Sequence, residues 1–192
     1  MCGRYLIDDE TSSQIEILMH NAPGGTLGYA IGEIFPTNIA PVITHSGILP
    51  VKWGFPHWKN SSVIINAKAE TAEEKSMFRK ALLEQRCVIP SSGYYEWAAQ
   101  SGHKSKIKYL LQMPDEGILY MAGMIRAFRD ASGSEYFAFV ILTTEASSTI
   151  AHLHNRMPVV LMHNEQNQWL NDSSYMEHVL HRTGPQLSYE AT

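Results

Sequence analysis

A chain of 192 residues, 44% of them hydrophobic, is long enough to bury a core without covalent staples, and its two cysteines, Cys2 and Cys87, exclude a disulfide scaffold. A formal net charge of −4 offers no global attraction to a phosphate backbone, so any contact with nucleic acid needs a local cluster of Arg and Lys. No basic segment followed by an apolar one opens the chain, and no run approaches the roughly 20 apolar residues of a membrane span, so the sequence reads as cytoplasmic.

No repeat, low-complexity tract or Pro/Gly-rich linker divides residues 1–192, and one domain is expected. In chain order, SSQIEILMH (12–20) is a helical candidate, followed by strands over 39–45, 48–55 and 61–67. TAEEKSMFRKALLEQ (71–85) predicts a helix that starts with Thr71 and Glu74 in capping-box spacing and places Met77, Phe78, Ala81 and Leu82 on one stripe. Strands follow over 86–91, 93–98, 106–113, 118–128 and 135–144, rich in β-branched and aromatic residues and separated by turns such as ASGS. EASSTIAHL (145–153) and NEQNQWL (164–170) are further helical candidates around a strand over 157–162. The sum is an α+β fold on a curved, mostly antiparallel sheet.

Cys2, next to the initiator methionine, is not expected to reach a core, whereas Cys87 in CVIP is. Aminopeptidases remove Met1 when the next side chain is small, which would leave Cys2 with a free α-amine beside its thiol. The amine titrates near about 8 and the thiol near about 8.5, so both are partly available as nucleophiles at neutral pH. Amine attack on an aldehyde gives a Schiff base, and the adjacent sulfur can then close a five-membered thiazolidine. The same pair could instead serve as an N-terminal nucleophile in amide hydrolysis.

Glu96 in GYYEW alternates with Tyr95 and Trp97 and faces away from both. Alone it reads more readily as a solvent-facing carboxylate; the functional reading is a proton relay held in a pocket. His154 in AHLHNRMP reads either as a helix C-terminal histidine favoured by the dipole or as a proton shuttle at an element junction. His152 and His154 lack any CxxC or HExxH companion, and no metal site is expected. Arg4, Lys68 and Arg156 could converge on a phosphate backbone, and Asn66 could hydrogen-bond a substrate or the N-terminus. Lys104, Lys106 and Lys108 share a strand face that reads as a protected sheet edge. Trp53, Trp58 and Trp97 read first as core residues and second as platforms for unpaired bases.

The ordered series MCGRY, TNIAP (37–41), WGF (53–55), INAKAET (65–71), SSGYYEW (91–97), LTTEAS (142–147) and HNRMP (154–158) closely resembles the SRAP family, the SOS response-associated peptidase proteins that process abasic sites in single-stranded DNA. The resemblance covers roughly residues 1–162. It implies a barrel-like α+β fold and a stable thiazolidine crosslink between Cys2, exposed by Met1 removal, and the ring-opened aldehyde of an abasic site. It further implies that Glu96 and His154 are catalytic, that Asn66 helps hold the site, and that Arg4, Lys68, Arg156 and Trp97 meet DNA; Trp58 joins the DNA-binding candidates as a stacking residue. It brings expectations of no cofactor, of a monomer that associates with the nucleoid when bound to DNA, of a role in the DNA-damage response, and of peptidase activity confined to self-processing. The chain departs from the family at Lys68, where Arg is common, at Asn155, where Asp is common, and at its end, LSYEAT, which lacks a VxxxVN-type segment. The rival readings are a class II glutamine amidotransferase, for which RGPD- and NGE-type motifs are missing, and a non-catalytic single-strand binding module.

Overall fold

The computed structural model describes residues 2–20, 28–99, 105–114 and 116–192; Met1 and Lys104 lie outside these. The first half of the chain comprises β1 (Tyr5–Ile7), α1 (Asp9–His20), β2 (Gly32–Ile34), β3 (Ile39–Thr44), β4 (Gly47–Trp53), β5 (Phe55–Pro56), β6 (Val63–Ile64), β7 (Asn66–Lys68) and α2 (Ser76–Glu84). The second comprises β8 (Arg86–Ser91), β9 (Gly93–Ala98), β10 (Ile107–Gln112), β11 (Leu119–Arg129), β12 (Glu135–Glu145), β13 (Arg156–Pro158), β14 (Val160–Leu161), α3 (Gln166–Asn171), α4 (Ser173–His181) and β15 (Ser188–Ala191).

Five strands close on themselves in the order β12-β4-β3-β8-β11, because β12 pairs with β4 on one side and β11 on the other. The pairings within this barrel are antiparallel except β12–β4; β7 adds to β12 in parallel, and β13 and β14 extend β12 and β11. A second sheet, in the order β15-β10-β9-β1-β2, is antiparallel throughout. This is the curved, mostly antiparallel α+β architecture that the strand runs imply.

The long strands are apolar on both faces for a reason. Met121 and Ile125 of β11, with Phe139 and Ile141 of β12, pack into one core together with Cys2, Tyr5, Trp53 and Tyr94. Tyr120, Ala122 and Met124, with Ala138, Val140 and Leu142, belong to a second core covered by α2, α3 and α4 through Phe78, Leu82, Trp169, Met176 and Leu180. Side chains that alternate along a strand thus feed two cores, which replaces the half-polar alternation of a one-sided sheet with a continuous apolar run. Buried Arg86 joins the layers, donating from Nε to Trp169 O at 2.5 Å and from Nη1 to Leu82 O and Leu83 O at 3.1 Å each.

Several local expectations are corrected. Glu145 ends β12, and residues 148–153 form successive turns rather than the helix expected over 145–153, with Ile150 and Ala151 N–H donating to Ser147 O. The helix assigned to 71–85 starts only at Ser76; Thr71 sits in a 3-10 turn with its hydroxyl unpartnered, and the N-cap is Lys75 without a side-chain bond. Burying Ala69 and Ala72 requires the chain to turn there, and that outweighs the capping signal. β10 is not a sheet edge, because β15 pairs with it from Tyr109↔Ala191 to Gln112↔Ser188. Lys108 therefore lies inside the sheet, beside the Tyr95 ring.

Candidate functional site

The short strand β1 carries the N-terminal residues into the protein. Tyr5 and Leu6 pair with Tyr94 and Gly93 of β9, and Tyr95 N–H donates to Arg4 O at 2.9 Å, which extends the ladder toward Cys2. A polar staple fixes the far end of the strand: Asp8 N–H donates to Ser92 Oγ at 2.8 Å, and Thr11 Oγ1 lies 2.8 Å from the same oxygen. Gly93 is required at the crossing, since a Cβ there would stand 2.5 Å from Leu111 O.

Cys2 is consequently 0% exposed and part of the core, contrary to the expectation that a residue so near the terminus stays outside. Non-local pairing with β9 overrides chain position. Asn66 at the start of β7 donates from Nδ2 to Cys2 O at 2.9 Å. The Cys2 thiol donates weakly to Arg4 O at 3.7 Å. Burial pushes this thiol far above its ordinary value, and the nearby charge of Glu96 pushes in the same direction.

Glu96 is 6% exposed, which overturns the solvent-facing reading. Alternation along β9 puts it on the same face as Tyr94, and cross-strand register puts Tyr5 on that face too, since Tyr5 lies directly opposite Tyr94. The Tyr5 ring packs against Trp53 with centroids 5.1 Å apart, and Trp53 Nε1 donates to Ile65 O, the residue before Asn66. Cys2, Asn66 and Glu96 are thus brought together by β1, β7 and β9, inside a wall of Tyr5, Tyr94 and Trp53. The two tyrosines escaped the sequence reading, although the period of two in GYYEW marks Tyr94 as sharing the face of Glu96.

Both arginines are held by carboxylates that the sequence reading did not single out. Arg4 Nη1 donates to Glu33 Oε2 at 3.1 Å, and its guanidinium lies 3.8 Å from the Phe35 ring centroid and 5.2 Å from that of Trp97. Lys108 binds the other oxygen of Glu33. Arg156 forms a fork on Glu70, with Nη1–Oε1 at 2.6 Å and Nη2–Oε2 at 2.8 Å, and donates also to Thr143 O at 2.5 Å. Lys68 is exposed on β7, whose partner strand β12 also pairs with β13, the strand of Arg156. Glu70 stands 86 positions from Arg156 and Glu33 sits in a three-residue strand, so no local pattern signals either pairing.

His154 follows a turn rather than a helix, so no helix dipole acts on it. Its Nδ1 lies 2.9 Å from the Arg156 backbone N–H and 3.2 Å from Arg156 O, so the backbone of Arg156 fixes the orientation of the ring. Trp53 is core, Trp97 is half-buried, and Trp58, at 76% exposed, is not the core residue it first reads as. The Trp58 ring stacks on that of His57 with centroids 6.3 Å apart, and Lys59 Nζ lies 4.5 Å from the Trp58 centroid. Among the described residues no group of three His, Cys, Asp or Glu side chains is placed to hold a metal ion, and no helix is long and apolar enough to cross a membrane.

Comparisons with known proteins bear on this arrangement. The chain is 29% identical over 194 aligned residues to the abasic site processing protein YoqW of Bacillus subtilis, covering 94% of this chain and 86% of that protein. It is 30% identical to YoaM of the same organism, covering 89% and 79%, and 26% identical to YedK of Escherichia coli, covering 88% and 79%; both carry the same descriptive name. Among solved structures, a protein from Bacteroides thetaiotaomicron superposes with a TM-score of 0.80 at 23% identity over 99% of this chain and 91% of that one, a likeness of fold. The family model described as SOS response associated peptidase (SRAP) matches residues 1–190, and the chain belongs to that family.

Proposed function

We propose that this protein captures abasic sites in single-stranded DNA by forming a thiazolidine between Cys2, after Met1 removal, and the ring-opened aldehyde of the lesion. The observation that carries the reading is the seating of Cys2: its carbonyl is held by Asn66 and Glu96 lies beside it in a buried, aromatic-walled site. The relatives' names, abasic site processing proteins, support an abasic site as the target.

In the proposed sequence the α-amine of Cys2 attacks the aldehyde carbon, and loss of one water gives an iminium. The positive iminium favours the thiolate that burial otherwise opposes. Sulfur then adds to the iminium carbon, the C=N pair returns to nitrogen, and the thiol proton passes to Glu96. His154 is assigned to moving protons on the sugar oxygens. Arg4, Lys68 and Arg156 bind the strand's phosphates, and Trp97 and Trp58 offer stacking faces. Peptidase activity is confined to release of Met1.

The test is a denaturing gel of processed protein with an oligonucleotide bearing one abasic site. A shifted band that is lost in Cys2→Ala is the expected result. No band from the unsubstituted protein, or the same band from Cys2→Ala, refutes the proposal.

A further inference from the structure

The buried polar atoms near Cys2 without a hydrogen-bond partner among the described residues include the phenol oxygens of Tyr5 and Tyr94 and the amide oxygen Oδ1 of Asn66. Both tyrosines are fully buried. An unmet buried hydroxyl costs roughly 1–3 kcal/mol, and phenylalanine would fill the same volume without that cost. Two such hydroxyls on neighbouring strands, directly opposite in register and on the face that carries Glu96, indicate a demand that arises only when something in the site becomes a strong acceptor. The Cys2 sulfur belongs to the same core cluster as both rings, and it is the group that must become an anion in an apolar setting.

We propose that Tyr5 and Tyr94 are a pair of hydrogen-bond donors that receive the Cys2 sulfur as it loses its proton, acting as positioning residues for the thiol step. The inference rests on the proposed capture of an aldehyde by Cys2. In that step the S–H proton goes to the Glu96 carboxylate, and the two phenols keep theirs while donating hydrogen bonds to sulfur. The C–S bond then forms at the iminium carbon as the C=N pair moves to nitrogen. Burial, with the charges of neighbouring groups adding to it, raises both phenols above their ordinary range, so each remains a donor across the working pH.

The experiment compares processed protein with its Tyr5→Phe and Tyr94→Phe variants in single-turnover thiazolidine formation, across pH, with an abasic oligonucleotide and separately with formaldehyde. Each variant is expected to slow the saturating rate roughly ten-fold with both aldehydes, to move the limb of thiol ionisation to higher pH, and to leave half-saturating oligonucleotide unchanged. The melting temperature is expected to hold or rise, because an unmet hydroxyl is removed. An unaltered saturating rate and pH profile in both variants overturns the donor pair. Should a variant lose its cooperative melt, 3-fluorotyrosine at that position, a more acidic donor of nearly the same size, is expected to move the limb to lower pH; no movement overturns the pair. A wild type that reacts with formaldehyde and not with the oligonucleotide refutes the abasic-site reading and leaves the pair judged on formaldehyde. A wild type that reacts with neither overturns both.

Discussion

Asn66 Nδ2 donates to the carbonyl oxygen of Cys2 at 2.9 Å across 64 positions of the chain. β7 can present Asn66 there because it adds in parallel to β12, with Asn66 opposite Ile141, so its start is fixed by the barrel. Cys2 is fixed by the second sheet. The bond therefore joins the two sheets at the proposed nucleophile. Asn66→Ala is expected to cost only about 1 kcal/mol of stability. The same change is expected to slow crosslinking at least ten-fold, because an N-terminal residue that swings loses its alignment with the aldehyde. Thermal melts and single-turnover gels on one preparation read both quantities.

Carboxylates occupy the arginines that would meet phosphate. Glu33 takes both Arg4 and Lys108, and these cations in turn hold the Glu33 carboxyl below its ordinary value, Lys108 most strongly. In the proposed DNA-bound state a phosphate competes with it. Glu33→Gln is expected to tighten binding of an undamaged oligonucleotide several-fold at low salt and to steepen the salt dependence by about one phosphate contact. Weaker binding in fluorescence anisotropy contradicts that competition.

Trp58 is the largest exposed apolar side chain among the described residues and packs against no core cluster. Trp58→Ala is expected to leave the melting temperature within the equivalent of about 0.5 kcal/mol. If the ring stacks on a base, the same variant loses about 1–3 kcal/mol of single-strand affinity. Unchanged anisotropy removes it from the DNA surface.

Away from the site, Glu165 fastens α4 to the barrel. Burial by itself raises its carboxyl, but this is outweighed by hydrogen bonds from Arg182 at 2.5 and 2.7 Å and from Tyr175 at 2.5 Å, which bring it down to about 2. A depressed carboxyl contributes stability that is fully present above its ordinary 4.5 and is lost as pH falls toward about 2. Its size is on the order of 3 kcal/mol. Glu165→Gln is expected to lower the melting temperature at pH 7 and to flatten the acid limb between those values. A parallel acid limb in the variant contradicts this assignment.

Much of this was legible in the residues, and the failures have physical causes. β8, β11 and β12 announce themselves by unbroken apolar runs, because two cores bury both of their faces, and β9 by its aromatic run. β1, β2 and β15 are three or four residues long, too short to carry a period, and they exist through pairing with distant strands. The turns over 148–153 bury Ile150 and Leu153 at a helical spacing, so the apolar pattern alone does not distinguish them from a helix. For the site, motif order pointed to Cys2, Asn66 and Glu96. The burial of Cys2 and Glu96 and the carboxylate partners of Arg4 and Arg156 depend on sheet pairings that no local pattern encodes.

The central claim concerns the bond made by Cys2, and intact mass spectrometry of the heat-denatured adduct tests it most directly. The expected species is the protein without Met1 plus the abasic oligonucleotide minus one water, formed without borohydride and unchanged in mass when borohydride is added afterwards. An adduct that appears only after borohydride reduction, or one that persists in Cys2→Ala, would contradict a thiazolidine at Cys2.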